Sequence, residues 1–378
     1  MFSNVANGIY LAITVITTYC GGVILYRLSG KESGIKFVQK KKKITLVSII
    51  LLNIGILFVF KYYNFFAYNL TNLLGINFSL NLPSLALPLG ISFYTFQSLG
   101  YLLDVYWGTA KPQNNIGKLG LFVGFFPTVM QGPISRYNDL MPQLEQGHRF
   151  NYENAVYGIQ RVAWGVFKKV VIADRLGVFV AEAYTMASGQ SGGALAIATI
   201  LFAFQLYTDF SGYMDMMIGL SQMLGIKLKE NFERPFFARS ISEYWRKWHI
   251  TLGTWFKDYL FYPLLKSNAM QSLTKIFSKK IKKRLAKKIT TCIAMFILWT
   301  IIGLWHGASM SFVIGSGILH WFYIVVGETI GVWCRNKLQK MHVNTENIIF
   351  QFFRQVRTFL LVCVGFVFLE PRRQQMPF

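Results

Sequence analysis

The feature that most constrains this chain is its series of long apolar runs. From Ile289 to Val325 the sequence is almost uncharged, and this run is long enough for two membrane-crossing helices of about 20 residues each. The 378 residues are 53% hydrophobic, and the mean hydropathy is positive. This composition is typical of a polytopic membrane protein rather than of two soluble domains. We therefore predict an all-α, polytopic transmembrane helical bundle.

Other apolar runs extend this prediction over most of the chain. We expect about 8–10 spans, with interfacial and re-entrant helices, in a single membrane domain over residues 1–378. The candidate spans are approximately 7–29, 44–64, 85–106, 116–132, 155–182, 193–225, 289–304, 308–332 and 354–369. The run 155–182 carries several charged side chains, so it is either interfacial or buried with charged partners.

The net charge of +23 does not indicate a nucleic-acid-binding protein. The basic residues lie in short segments between apolar runs, as the positive-inside rule distributes them in membrane proteins. One cluster, from Arg27 to Lys43, follows the first apolar run, and a second, from Lys266 to Lys288, precedes the run that contains His306. We place both clusters on the cytoplasmic side of the membrane.

His306 is the strongest candidate for a functional residue. It lies in the middle of the almost uncharged run, between Gly303 and Gly307, near the junction of two spans or within a broken helix. Glycine lets another backbone or a ligand approach closely, and an ionisable side chain at membrane depth indicates a functional site. The alternative is a neutral structural histidine that is bonded to a backbone carbonyl.

A second histidine, His249, lies in a segment with a clear helix start. Ser240 and Glu243 have the spacing of a capping box, and large side chains then recur at helical intervals. This pattern predicts one amphipathic helix over 240–259, with an aromatic stripe at the headgroup level of a bilayer. Taken alone, the helix favours an interfacial position with a solvated His249. The side chains of the stripe are Trp245, Trp248, Leu252, Trp255 and Tyr259.

Several runs carry polar groups that lipid contact would not tolerate. Gln97 lies in such a run, and two prolines and a glycine in 125–136 predict a broken helix around a cavity. The run 205–215 contains two carboxylates, Asp209 and Asp215, for which structural pairing is the favoured role. Asp209 has three candidate partners in the sequence, which are Ser211, Arg136 and Arg246.

An ordered set of motifs resembles the membrane-bound O-acyltransferases, in the alginate O-acetyltransferase-like branch that is related to the D-alanyl transferase of teichoic acid. Together the motifs cover most of residues 10–368. They are Pro88-Leu-Gly-Ile-Ser-Phe-Tyr-Thr-Phe-Gln97, Phe126-Pro127, Gln131-Gly-Pro-Ile-Ser-Arg136, Asp209-Phe-Ser-Gly-Tyr-Met-Asp215, Asn231-Phe-Glu-Arg-Pro-Phe236, Tyr244-Trp-Arg-Lys-Trp-His249 and Gly303-Leu-Trp-His-Gly-Ala308.

The resemblance implies an acyltransferase that moves an acyl group, usually acetyl, to a hydroxyl of a cell-envelope or exported polysaccharide or to a relay partner. The donor would be a cytoplasmic thioester, acetyl-coenzyme A or an acyl carrier protein, and no bound cofactor or metal is expected. By resemblance, His306 is the essential histidine and His249 the accessory one. His306 would act as general base, while His249 or an amide near Gly307 would stabilise the oxyanion.

The same resemblance implies a central tunnel through the helical bundle, the tentative residues that line it, and the partners. Family members often pass the acyl group to an extracytoplasmic relay or hydrolase-like protein, and a lipid bilayer surrounds the enzyme. The chain departs from the family at its ends, so we expect a member that is incomplete at one or both termini. The alternatives are a proton-coupled transporter or flippase and an inactive truncated remnant. The tunnel residues are Trp305, Gly307, Trp248, Arg246, Asp209, Ser211, Gln97 and Arg136.

Overall fold

The computed structural model describes residues 5–29, 35–75, 88–185 and 191–369. These residues fold as helices with no β-strand, apart from one isolated bridge between Phe232 and Trp248. The all-α prediction is confirmed. The expectation that the chain is incomplete at one or both termini stays a prediction, and the segment after residue 369 lies outside the described residues.

The chain divides into two compact units, Met1–Val166 with Gly212–Lys229, and Phe167–Ser211 with Glu230–Pro377. The prediction of a single membrane domain stays a prediction, as does the central tunnel. The helices of the first unit are α1 (Val5–Ser29), α2 (Ile35–Lys61), α3 (Tyr63–Leu74), α4 (Ile91–Trp107), α5 (Ile116–Val123), α6 (Phe126–Val129), α7 (Tyr137–Glu145) and α8 (Tyr152–Val166).

The second unit begins with a π-helical segment, Phe167–Ala173, and continues with α9 (Asp174–Thr185). Helix α10 (Gly192–Met223) contributes its residues up to Ser211 to the second unit and the rest to the first. A 3-10 turn, Pro235–Phe237, precedes the remaining helices. These are α11 (Ile241–Lys247), α12 (Ile250–Phe256), a π-helical segment (Lys257–Phe261), α13 (Tyr262–Lys266), α14 (Asn268–Ser278), α15 (Lys283–His306), α16 (Met310–Phe312), a π-helical segment (Val313–Ile318), α17 (Leu319–Lys340) and α18 (Ile348–Val367).

Within the described residues, six helices are long and apolar enough to cross a membrane. Each overlaps a candidate span from the sequence. The other candidate runs take different forms: α4 has 17 residues, and the run 116–132 is broken between α5 and α6 as the prolines and glycine predicted. The six helices are Gly8–Ser29, Lys36–Lys61, Gly192–Met223, Lys283–His306, Met310–Lys340 and Ile348–Val367.

The charged run 155–182 finds partners inside the protein, but the Lys169 side chain is 42% exposed, so whether the run is interfacial or buried stays a prediction. In the first unit, Arg161 of α8 donates from Nη2 to Asp215 of α10 at 2.9 Å. In the second unit, Lys169 forms ion pairs with Asp174 and Asp209, each at 2.7 Å. Ion pairing of this kind lowers the cost of charged groups among apolar helices.

Candidate active site

The helix over 240–259 is not continuous, so that part of the sequence prediction was wrong. Helix α11 ends at Lys247 and α12 begins at Ile250, and His249 between them has a left-handed backbone with φ 47°. The helix start was predicted correctly, because the Ser240 hydroxyl accepts a hydrogen bond from the Glu243 amide at 3.2 Å. The carboxylate of Glu243 accepts from the Arg239 amide, one residue earlier than in an ideal capping box.

The break is held by a segment that lies before α11 in the sequence. The Asn231 carbonyl accepts a hydrogen bond from the Ile250 amide at 3.0 Å, and the Lys247 carbonyl accepts from the Glu233 amide at 3.0 Å. These bonds flank the bridge between Phe232 and Trp248. Two stretches that looked like separate motifs in the sequence therefore form one local structure around His249.

This local structure buries the aromatic stripe that we expected at the membrane surface. His249 is only 2% exposed, so a solvated His249 on an interfacial helix is also wrong. Its ring packs edge-on against Phe210 with ring centres 4.8 Å apart. Trp248, Trp255 and Tyr259 are buried as well. The physical reason is the backbone turn at His249, which directs the two halves of the stripe into the unit rather than along one helix face.

The side chain of Asn231 fixes the orientation of the His249 ring. The oxygen Oδ1 of Asn231 accepts hydrogen bonds from the Thr251 amide at 2.9 Å and from the Thr251 hydroxyl at 2.8 Å. A backbone amide can only donate, so the Asn231 atom at this position is the oxygen. Nδ1 of His249 faces the same oxygen at 3.4 Å. Nδ1 therefore carries the proton in the neutral ring, and Nε2 carries the lone pair.

The environment of His249 favours the neutral imidazole. Burial holds the pKa of His249 well below its usual range, and the charge of a protonated His306 would lower it further. Nε2 is buried and makes no hydrogen bond to any described residue. A neutral imidazole with an unshared lone pair is the protonation state that a general base or a hydrogen-bond acceptor requires.

His306 is the last residue of α15, so the predicted junction of two spans is confirmed at this position. A close helix contact sets its position. A Cβ at Gly303 would lie 2.9 Å from the Phe312 carbonyl oxygen and 3.1 Å from the Cα atom of Gly317, which shows how tightly α15 packs against the π-helical segment 313–318. The Trp305 ring lies next to both histidines, 4.9 Å from the His306 ring and 6.0 Å from the His249 ring.

A third histidine, His320, lies near the same cluster and was missed by the sequence reasoning. It is 3% exposed, and its ring packs edge-on against Trp245 with ring centres 4.9 Å apart. Its ring centre also lies 6.0 Å from that of Trp299. The signal was present in the sequence, because His320 lies in the same almost uncharged run as His306.

A cavity of about 460 Å³ lies beside His249 in the second unit. Its walls are mainly aromatic and aliphatic, and three exposed charged residues, Arg246, Lys257 and Glu328, also line it. This combination suits an elongated apolar group with a charged or polar end. The aromatic and aliphatic lining residues include Trp245, Trp248, Phe256, Phe261, Met295, Leu298, Trp299, Ile302 and Ile324.

The other predicted site residues take defined positions. Asp209 pairs with Lys169, and the buried Ser211 hydroxyl accepts a hydrogen bond from the Lys168 ammonium at 3.0 Å. The Asp209 pairing replaces the three partners that the sequence suggested. Gln97 belongs to the first unit, where its side-chain amide donates to the Phe122 carbonyl at 2.7 Å.

Two further predicted residues flank helices. Arg136 also belongs to the first unit, where it precedes α7. Gly307 follows His306 in the second unit, and a Cβ on it would clash with the Phe312 ring. Within the described part of the chain, no group of three or more His, Cys, Asp and Glu side chains is arranged to hold a metal ion.

The fold and the site define a polytopic helical membrane protein with one buried histidine, His249, beside an apolar cavity. The family model of the membrane-bound O-acyltransferases matches residues 118–369. The chain belongs to this family. The match includes His249, His306 and the residues that line the cavity.

Curated relatives agree with this assignment. The chain is 34% identical over 286 residues to a probable alginate O-acetylase of Pseudomonas syringae pv. tomato, covering 76% of this chain and 49% of the relative. It is 32% identical over 331 residues to a probable alginate O-acetylase of Pseudomonas aeruginosa, covering 86% and 57%. It is also 32% identical over 305 residues to a peptidoglycan O-acetyltransferase of Helicobacter pylori, covering 74% and 54%. The chain thus spans about half the length of these relatives.

Proposed function

We propose that this protein is a membrane-bound O-acyltransferase that moves an acyl group, most simply acetyl, from a thioester donor to a polysaccharide hydroxyl or to a relay partner. The observation that carries the proposal is the buried His249, which lines an apolar cavity and shares the neighbouring Trp305 ring with His306, in a chain of this family. The names of the relatives, which refer to alginate and peptidoglycan, support a cell-envelope or exported polysaccharide as the acceptor.

His306 is the proposed general base. A hydroxyl is a weak nucleophile until a positioned base removes its proton, and an imidazole with a pKa near 6.5 in water is suited to this near neutral pH. The hydroxyl oxygen would attack the thioester carbonyl carbon while His306 takes the proton. The tetrahedral intermediate would then collapse with cleavage of the carbon–sulfur bond, and the departing thiolate would take the proton from the His306 imidazolium.

The tautomer of His249 determines whether this ring can donate or accept a hydrogen bond at Nε2 during the reaction. With Nδ1–H directed to Asn231, the neutral ring presents a lone pair at Nε2, and burial opposes a second proton. His249 is therefore suited to accept a hydrogen bond, for instance from the acceptor hydroxyl, rather than to stabilise an oxyanion. The oxyanion would be stabilised by a backbone amide near Gly307, the other donor considered from the sequence.

The cavity beside His249 is the proposed site for part of the thioester donor. Its aromatic and aliphatic walls suit the acyl group and the uncharged arm of a carrier, and the exposed cations Arg246 and Lys257 suit the phosphate groups that such carriers bear. Acetyl-coenzyme A and an acyl carrier protein share this chemistry. We place the protein in the bacterial plasma membrane, with an extracytoplasmic relay protein as a further proposed partner.

Proton-coupled transport is not favoured by the geometry. A relay through Asp209 and Asp215 would require both carboxylates to change protonation. Each instead forms an ion pair, Asp209 with Lys169 and Asp215 with Arg161.

The proposal is tested by transfer of labelled acetyl from acetyl-coenzyme A, measured with membranes that contain the full chain or His306→Ala. Loss of a general base is expected to lower turnover by about 10²–10⁴-fold. The matched control is His342→Asn, because His342 is exposed and asparagine tolerates its left-handed backbone. Turnover that is equal in wild type and His306→Ala would refute the assigned base. Histidine-dependent hydrolysis of the thioester without transfer would point to a missing acceptor or relay.

A further inference from the structure

A second cavity, of about 520 Å³, lies in the first unit at the start of α2. It is lined by four lysines of α2, by Gln39 and by Tyr106 from the last turn of α4. Among the described residues, no acidic side chain contributes to its wall. This composition indicates a site for an anion. The four lysines are Lys36, Lys40, Lys42 and Lys43.

The arrangement of these lysines concentrates their charge. Lys36, Lys40 and Lys43 have the i, i+4 and i+7 spacing that places side chains on one helix face. Lys42 approaches the cavity from beside Tyr106, with its ammonium 5.6 Å from the ring centre. The first turn of α2 has no acidic residue, so the positive end of the helix dipole adds to the charge of the lysines.

These charges are not neutralised inside the part of the chain that the structure describes. None of the four cavity lysines takes part in an ion pair there. Four ammonium groups around one cavity repel each other, and an anion bound between them would convert this repulsion into attraction. A phosphate group has the charge and the acceptor oxygens to meet several lysines at once.

The position of the cavity along α2 identifies the source of the phosphate. The apolar part of α2 begins directly after Lys43, and Ile44, Val47 and Leu51 are all exposed, at 55%, 42% and 64%. In a membrane-crossing helix such side chains face lipid tails, so the cavity lies at the level where headgroups begin. We propose that it binds the phosphate of an anionic phospholipid headgroup. Soluble phosphates share the chemistry but would not contact the adjoining lipid-facing surface.

The proposal is tested by native mass spectrometry of the full chain in detergent, titrated with phosphatidylglycerol, phosphatidylcholine or inorganic phosphate. The wild type is expected to bind phosphatidylglycerol at least about tenfold more tightly than phosphatidylcholine. A lysine near an anionic lipid surface contributes about fivefold in affinity. Lys40→Gln and Lys43→Gln are each expected to weaken phosphatidylglycerol binding by about that factor.

The matched control is Lys41→Gln, which removes the same charge from the same helix. Lys41 does not line the cavity, and its ammonium lies over the Phe37 ring at 4.3 Å. The affinity of the Lys41→Gln protein for phosphatidylglycerol is expected to differ from that of the wild type by less than about twofold. Equal losses in all three variants would overturn the site in favour of a general charge effect. Equal binding of the two lipids, or displacement of phosphatidylglycerol by inorganic phosphate at similar concentration, would overturn the lipid assignment.

Discussion

The side-chain oxygen of Asn231 lies 3.4 Å from Nδ1 of His249 and thereby sets which nitrogen of the imidazole is unprotonated. Replacing Asn231 with Asp keeps an acceptor at this position and adds a negative charge. The charge favours the imidazolium, so the pKa of His249 should rise. If neutral His249 is needed for transfer, activity at pH 6 should fall more than activity at pH 9. The measurement is the initial rate of acetyl transfer across this range.

The control for this charge effect is Asn347→Asp. Asn347 is an exposed N-cap residue of α18, and Asp is an equally good N-cap. This variant should keep the wild-type pH profile. An Asn231→Asp profile that matches the wild type would show that the contact with Asn231 does not control the protonation of His249.

The burial of His249 also predicts a pH dependence of stability. In the folded protein its pKa is held well below the usual range by burial and by the charge of a protonated His306, whereas the unfolded chain binds a proton below a pH of about 6.5. The unfolded state therefore binds more protons in acid, and the free energy of unfolding decreases as the pH falls below about 6.5. The titration of His249 alone lowers the free energy of unfolding by at most about 1.4 kcal/mol per pH unit.

The apparent melting temperature in detergent, recorded between pH 8 and pH 5, measures this effect. His249→Gln replaces the titrating ring with a neutral side chain. At pH 8 we expect this variant to melt at a lower temperature than the wild type. Between pH 7 and pH 5, its melting temperature should fall by less than that of the wild type. If the two proteins lose equal amounts over that interval, His249 is not the source of the acid sensitivity.

The contact between Gly303 and Gly317 gives a test of how α15 positions His306. A Cβ at Gly303 would meet backbone atoms of Phe312 and Val313 at 2.9 Å, so Gly303→Ala must push α15 away from the π-helical segment. Overpacking of this kind costs about 1–3 kcal/mol. We expect a lower melting temperature and a loss of transfer, because His306 lies three residues further along the helix.

The same substitution at Gly327 is the matched control. A Cβ there would meet no atom within 4 Å, so Gly327→Ala should be neutral or stabilising by up to about 1 kcal/mol. A Gly303→Ala protein that is as stable and as active as Gly327→Ala would mean that the helix contact does not position the histidine.

Hydropathy and local motifs were sufficient to predict the long helices and the junction at His306. Both depend on residues close together in the sequence: apolar runs define the spans, and a glycine on either side of His306 marks the interruption. The capping box at Ser240 was predictable for the same reason. The altered position of the Glu243 hydrogen bond, at Arg239, was not, because it depends on how the chain enters the helix.

The break at His249 could not be predicted from the periodic spacing of side chains. The segment has helical spacing throughout, but tertiary contacts override it. Asn231 lies 18 residues before His249, whose Nδ1 faces its side-chain oxygen, and the Glu233 amide donates to the carbonyl of Lys247, 14 residues later. The partner of Asp209 was missed for a related reason. Lys169 lies far from Asp209 in sequence, and no spacing rule connects the two. His320 was overlooked although the argument that identified His306 applies to it equally.

The last prediction concerns the ion pair between Arg161 and Asp215. It lies on the faces where α8 and α10 approach most closely, because a Cβ at Gly158 or Gly165 would lie within 2.7 Å of a backbone oxygen of the other helix. The two side chains are 26% and 16% exposed. Removing one partner leaves a largely buried charge and should cost up to about 3–5 kcal/mol, whereas removing both should cost less.

Thermal melting of Arg161→Leu, Asp215→Leu and the double variant measures this coupling. We expect the double variant to be more stable than either single variant and to keep acetyl transfer per folded molecule. Asp209→Asn is the comparison, because the Asp209 side chain is 45% exposed and its pair with Lys169 should contribute no more than about 1 kcal/mol. A double variant that folds well but has lost transfer would instead give Asp215 a part in the chemistry.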